Sequence, residues 1–191
     1  MAKRTFVIFI LSLLFSCISD TIYAARFKPI VTNFTTADYG DNAGNQNWCG
    51  TQGPNGKMYF ANNMGVLIFD GNRWRLEKIP SNALVRSVFY DGDRLYIGSY
   101  EEFGYFIYDD YGYLHYHSLS KDLKSISGSH NEIWNIVKVG NLIYFQAFFK
   151  YYVYDGKKVY EGKQNIQPLY FHNIHNTLYT QNTEDGYYRL P

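Results

Sequence analysis

One short phrase recurs four times along this chain of 191 residues. A turn leads into a strand that carries a tyrosine, and a second aromatic-rich strand follows. The four occurrences are Lys57-Met58-Tyr59-Phe60, Arg94-Leu95-Tyr96-Ile97, Leu142-Ile143-Tyr144-Phe145 and Asn176-Thr177-Leu178-Tyr179. Measured between Tyr59, Tyr96, Tyr144 and Tyr179, the steps are 37, 48 and 35 residues. A unit of about 40 residues made only of short strands cannot bury both of its faces alone, so such units stack on one another. That pattern predicts an all-β chain of β-propeller blades, about four of them with the last incomplete.

The blades are expected at about 48–82, 83–122, 130–165 and 166–191. In the first, Trp48–Gln52, Met58–Asn62, Val66–Phe69 and Arg73–Ile79 read as strands. Asn55-Gly56 between the first two readily takes the positive φ that tight hairpins need. The second blade reads as Val85–Tyr90, Arg94–Ser99, Gly104–Tyr108 and Tyr113–Ser118, and the third as Glu132–Val139, Leu142–Ala147, Tyr151–Tyr154 and Lys158–Tyr160. The fourth shows two strands from near Gln167 and a third over Gly186–Leu190. No amphipathic helix period occurs after the N-terminal segment, and Leu119–Ser129 allows one helical turn at most. Residues 25–47 are expected to hold a strand, Pro29–Thr35, and a linker. That strand would close the ring by pairing with a last blade, since exposed sheet edges invite misassembly. Four-bladed closure is uncommon, so the expectation is a fragment of a larger propeller.

Residues 1–24 have the layout of a secretory signal peptide: Lys3 and Arg4, an apolar run from Phe6 to Phe15, and small-residue cleavage after Ala24. Leu14-Phe15-Ser16-Cys17 offers a lipoprotein alternative at Cys17, with Phe15 a poor fit. The 18 basic and 17 acidic residues, less Lys3, Arg4 and Asp20, balance at 16 each. A neutral segment with no basic run carries no nucleic-acid footprint. Cys49 is then the single remaining cysteine, so the segment is not a disulfide scaffold.

Three phrases go beyond a generic blade. They are residues 55–71 followed by Trp74, residues 96–106 (Tyr-Ile-Gly-Ser-Tyr-Glu-Glu-Phe-Gly-Tyr-Phe), and Glu132-Ile133-Trp134-Asn135-Ile136 with the later Tyr144-Phe145-Gln146 and Tyr154-Asp155-Gly156. Together they resemble the periplasmic sensor region of bacterial two-component-type regulators built from regulator-propeller repeats, over residues 28–190. The resemblance implies a parent protein with a three-tyrosine immunoglobulin-like domain, a membrane span, and a histidine-kinase or helix-turn-helix output. It implies sensing of an extracellular cue, commonly a glycan or another small ligand. It leaves a homodimer of the parent open. This segment would reach no nucleic acid itself.

Propeller ligands sit where loops lead into the innermost strands. Aligned on the four tyrosines, Trp48, Val85, Ile133 and Pro168 are equivalent, and Asn45, Gln46, Asn47, Arg86, His130, Asn131, Trp134 and His172 cluster around them. The candidate ligand-binding set is Trp48, Asn47, Arg86, His130, Trp134 and His172, where rings could stack on a sugar and amide and guanidinium groups bond it. The competing reading is aromatic packing between blades. Glu101 and Glu102 are adjacent, so on a strand they would point to opposite faces and not converge on one bond. His115 and His117 share a face without a third ligand. No catalytic residue, metal site or cofactor is expected. The leading function is a non-catalytic sensor segment of a transmembrane regulator. Its rivals are an exported propeller lyase or glycosidase and a protein-interaction platform.

Overall fold

The computed structural model describes residues 29–126, 130–162, 166–182 and 186–190. The expected signal peptide and Cys17 lie outside them. The chain divides into two units, Met1–Asn33 and Phe34–Pro191. In the first, residues 29–33 form no regular structure, and Ile30 and Val31 are exposed.

The second unit opens with one helical turn, α1 (Thr36–Tyr39), which the sequence reading missed. Its signal was Thr35-Thr36-Ala37-Asp38, a short N-terminal box. Asp38 Oδ2 accepts the Thr35 N–H at 2.5 Å and the Thr35 hydroxyl at 2.8 Å. The strand expected over Pro29–Thr35 therefore does not form. Its last residue is the N-cap of α1, and Phe34 turns onto the first sheet.

Among the described residues, fifteen strands form four antiparallel sheets in chain order. The first is β1 (Asn47–Gln52), β2 (Met58–Asn62), β3 (Gly65–Phe69) and β4 (Trp74–Glu77). The second is β5 (Val85–Asp91), β6 (Arg94–Ser99), β7 (Phe103–Tyr108) and β8 (Leu114–Ser118). The third is β9 (Asn135–Val139), β10 (Leu142–Gln146), β11 (Tyr151–Tyr154) and β12 (Val159–Glu161). The fourth has three strands, β13 (Pro168–Ile174), β14 (Thr177–Asn182) and β15 (Gly186–Leu190). Each sheet is a meander in which every strand pairs with its sequence neighbour, the layout of a propeller blade.

The repeated tyrosine explains the stacking. Tyr59, Tyr96 and Tyr144 occupy one register position, opposite Ile68, Tyr105 and Val153 on the third strand. Each lies buried against the following blade. Tyr59 stacks on Tyr90 at 5.4 Å, and its hydroxyl is 3.1 Å from that of Tyr108. Tyr96 meets Phe145 and Tyr154, and Tyr144 meets Phe171. Three hydrophobic clusters fill the three junctions between consecutive blades. Each fully buried aromatic ring contributes about 1.5–3 kcal/mol. Tyr179 holds the same position in blade four, opposite Arg189, and is half-buried. The outer face of blade one is covered from within the unit: Trp74 packs on Phe69 at 4.5 Å, on Tyr39 at 4.8 Å and on Phe34 at 5.1 Å.

Candidate functional site

In a four-stranded meander the start of the first strand and the turn between the second and third lie at the same end. That end is called the upper rim here. The residue two beyond the repeated tyrosine pairs with Ser87 in blade two (Gly98), Asn135 in blade three (Gln146) and Tyr170 in blade four (Gln181). One residue earlier on the first strand stand Arg86, Trp134 and Leu169, and Trp48 in blade one. This corrects the alignment from sequence, which set Trp48 opposite Val85, Ile133 and Pro168. The turn carrying Pro54–Gly56 is one residue longer than its counterparts, so counting from the tyrosines slips by one. Blades one, two and four also break their register at this position. Such bulges re-aim the extra side chain.

Three of the six candidate residues come together there. The Arg86 guanidinium lies 3.7 Å from the Trp48 ring centre and 5.3 Å from that of Trp134. The two indoles meet edge to face at 6.3 Å. Glu132, absent from the candidate set, completes the cluster. Its carboxylate accepts Arg86 Nε at 2.8 Å and Nη2 at 3.0 Å, and both side chains are mostly buried. The sequence clue was its place two residues before Trp134, because a guanidinium among indoles needs an anion nearby. Arg86 Nη1 and Trp134 Nε1 are buried donors without a hydrogen-bond partner among the described residues.

A backbone device holds Glu132 in place. The sequence put it on the first strand of blade three, but that strand starts at Asn135. Glu132 instead bridges Tyr100 of blade two, and the Ile133 N–H donates to Ser99 O at 3.0 Å. Ser87 Oγ donates to Ile133 O at 2.9 Å. Gly98 makes this approach feasible: a Cβ there would lie 2.3 Å from Ser87 Oγ and 2.5 Å from an Ile133 methyl. The glycine of the Tyr-Ile-Gly-Ser phrase is thus a contact glycine.

The remaining candidates sit elsewhere. Asn47 Oδ1 accepts from Nδ2 of the buried Asn62 at 2.8 Å, and Asn62 also clasps both backbone groups of Gly44. His130 is exposed. Its Nδ1 lies 2.6 Å from the Tyr100 hydroxyl, and its N–H donates to Glu101 at 2.6 Å. His172 is exposed on β13 opposite Tyr179 and is not part of the cluster. Asn131 is buried, its carbonyl accepting the Glu101 N–H at 2.8 Å. Glu101 and Glu102 diverge from the turn after β6, with Glu102 taking the Ser81 hydroxyl at 2.5 Å.

Beside Trp134 the rim opens into a cleft of about 470 Å³ between blades three and four. Trp134, Phe148 and Tyr170 form aromatic walls, Asn135 and Gln146 supply amides, and Ala147 lies among them. Trp134 and Phe148 meet edge to face at 4.6 Å. Gln146 Nε2 donates to Leu169 O at 2.9 Å and fastens blade four across the cleft. Phe148, Phe149 and Tyr170 stay about half-exposed or more. Rings with exposed faces beside oriented amides suit a ligand with a flat apolar face and polar edges.

Among the described residues, no three His, Cys, Asp or Glu side chains gather as a metal-binding group. No helix of the described residues is long and apolar enough to cross a membrane.

No family model matches the chain, and no curated protein matches it. Solved structures do. The extracellular domain of BT4673 from B. thetaiotaomicron, described as a one-component and as a hybrid two-component system, superposes with a TM-score of 0.60 at 16% identity, over 80% of this chain and 21% of the other. The extracellular domain of BT3049 from B. thetaiotaomicron, described as a hybrid two-component system, gives 0.59 at 12% identity, over 83% and 24%. The shared object is the propeller blade. A catalytically inactive virginiamycin B lyase from Staphylococcus aureus, solved with quinupristin, also gives 0.59, at 15% identity, over 83% and 55%. At these identities the likeness is one of fold. This chain spans about a fifth of the BT4673 domain's length.

Proposed function

We propose that this chain is an exported, non-catalytic, ligand-binding propeller segment of a transmembrane signalling regulator. The observation that carries the reading is the upper rim. There Trp48, Arg86 and Trp134 converge, and an aromatic cleft with two amides opens beside them. A site made of stacking surfaces and hydrogen-bonding groups favours binding, and among the described residues there no paired acid and base is aimed at one bond. The fold shared with extracellular domains of two-component-type systems supports the signalling role. A glycan suits the cleft, since a sugar ring offers an apolar face to Phe148 or Tyr170 and hydroxyls to Asn135 and Gln146.

The test is binding of the full chain to an array of defined oligosaccharides. Saturable binding of one glycan class is expected. Tyr170→Ala and Phe148→Ala, both at exposed rings, should each weaken it about tenfold while leaving the melting temperature unchanged, a loss in keeping with one aromatic stacking contact of about 1.5 kcal/mol. Binding that both variants leave intact, or no binding of any glycan, would remove the site assignment.

A further inference from the structure

The lower rim, at the end of the blades opposite the cleft, holds a charged groove between blades one and two. Tyr59, Ile68 and Arg75 are cross-strand partners in the first sheet and share one face. That face packs on blade two, where Tyr59 stacks on Tyr90. Lys57, Asp70 and Arg73 each stand two residues from one member of that row, so they continue the same face toward the rim. With Arg75, Ile68 and, from β7, Tyr108, they line a groove of about 350 Å³. Three of these side chains are cationic and one is a carboxylate. Asp70 Oδ1 is taken by the backbone N–H groups of Asn72 and Arg73. Among the described residues, none of the three cations forms an ion pair. Lys57 Nζ lies 4.9 Å from the centre of the Tyr108 ring. On the facing turn, Asp109 is held by its own backbone and by His115, and Asp110 pairs with none of the three. Blade two commits the same positions to the fold. Arg94, in the place of Lys57, bonds the Tyr154 hydroxyl at 3.2 Å and lies 3.7 Å from Asp93. His115, in the place of Arg73, meets Asp109 at 2.7 Å, and His117, in the place of Arg75, stacks on Tyr105 at 5.2 Å. In blade three the positions hold Leu142, Lys158 and Tyr160. Blade one therefore gathers three cations in a concave site without committing them to its own structure.

We propose that this groove binds a tetrahedral oxyanion, the phosphate or sulfate group of an ester. Two guanidiniums and an ammonium offer more donors than one carboxylate accepts, and an oxyanion with three free oxygens matches them. The surplus of positive charge in a concave site draws such an anion in. Tyr108 and Ile68 offer apolar surface to the body that carries the ester. The site lies at the opposite end of the blades from the cleft and does not rest on the reading of that cleft.

The probes are inorganic phosphate and inorganic sulfate, titrated into the full chain at constant ionic strength and followed by amide NMR shifts. Acetate is the control with one charge and two oxygens. Saturable shifts are expected at Arg73, Arg75 and Gly112, with acetate at least about tenfold weaker. Tighter phosphate assigns a phosphate ester, and equal or tighter sulfate assigns a sulfate ester. Arg73→Gln and Arg75→Gln, both at exposed positions, should each weaken the anion about tenfold, the loss of one hydrogen bond between charged groups. Lys157→Gln, at an exposed cation of blade three, should change nothing. All three variants should melt at the parent's temperature. Shifts that never saturate, acetate binding as tightly as phosphate and sulfate, or equal losses from Arg75→Gln and Lys157→Gln would mean general charge screening and overturn the proposal.

Discussion

The junction between blades two and three and the junction between blades three and four meet the upper rim in opposite ways. At the first, the approaching segment is fastened: Ile133 N–H to Ser99 O, Ser87 Oγ to Ile133 O, and Glu132 to Arg86. The rim there is filled by a guanidinium between indoles. At the second, the approaching segment is held among the described residues by two side chains, Gln146 at Leu169 O and Asn182 at the Gln167 N–H, and a cleft remains. One position of the repeat differs in blade three. Three residues beyond the repeated tyrosine stand Asn62, Ser99 and Asn182, and each ties down an incoming loop: Asn62 to Gly44, Ser99 to Leu84 O, Asn182 to the Gln167 N–H. In blade three that position is Ala147, with no polar group to offer. The small Ala147 side chain lines the cleft and leaves room at the rim that an amide or hydroxyl would fill.

The largest effect should come from breaking the fastened junction at its charge pair. Arg86 and Glu132 are mostly buried. Glu132→Ala strands a guanidinium between two indoles and should cost about 3 kcal/mol or more by chemical denaturation. In Glu132→Ala/Arg86→Met the stranded charge is gone, and much of the loss should return. If the double variant is as unstable as the sum of the singles, the pair is not acting as a coupled unit. Next in size is Gly98→Ala. Its Cβ would collide with Ser87 Oγ and Ile133, so about 1–3 kcal/mol should be lost as the blade-three segment is pushed away. The same test separates the junctions: Tyr170→Ala, on the open side, should stay within about 0.5 kcal/mol of the parent. A large loss there would show that the cleft wall carries the fold rather than a ligand.

Much of this architecture was legible in the sequence, because buried tyrosines at a fixed register leave a period that composition cannot hide. The strands of blades one and two lie within a residue or two of their expected positions. The rim was legible in kind but not in register. Trp48, Arg86 and Trp134 stood out as residue types, yet the longer turn at Pro54–Gly56 displaced the alignment by one. Glu132 was misplaced because a strand pattern does not show that a residue will leave its own blade to bridge the one before it. The same limit hid the cleft, since Phe148, Ala147 and Tyr170 meet only when two blades pack. Pro29–Thr35 is rich in β-branched residues and read as a strand, but a strand needs a hydrogen-bonding neighbour, which local propensity does not supply. His172 looked equivalent to the rim residues by proximity in sequence. It stands three residues further along β13, well down the strand.

The smallest effect separates the four-stranded blades from the three-stranded one. Blades one, two and three turn into their fourth strands on an aspartate. Asp70 Oδ1 accepts the N–H of Asn72 and Arg73, Asp109 Oδ1 those of Tyr111 and Tyr113, and Asp155 Oδ1 those of Lys157 and Lys158. Each carboxyl titrates below its ordinary value. For Asp70 and Asp155 the first cause is these backbone donors, and for Asp109 it is the His115 bond, followed by the Tyr113 N–H. The folded state therefore holds its protons less tightly than the unfolded chain does. The stabilisation is complete above the unfolded carboxylate value of about 3.9 and disappears as pH falls through the lower folded values. Melting temperature should be flat above about pH 5 and fall below about pH 4. Asp70→Asn, Asp109→Asn and Asp155→Asn combined should lower the plateau by a few degrees and flatten the acid limb. Blade four has no such turn among the described residues. Amide exchange at pH 3.5 should therefore rise, relative to neutral pH and after correction for intrinsic rates, in β4, β8 and β12 and remain unchanged in β14. A uniform rise across all four blades would mean that acid acts on the stack as a whole and that the turn aspartates play no distinct part.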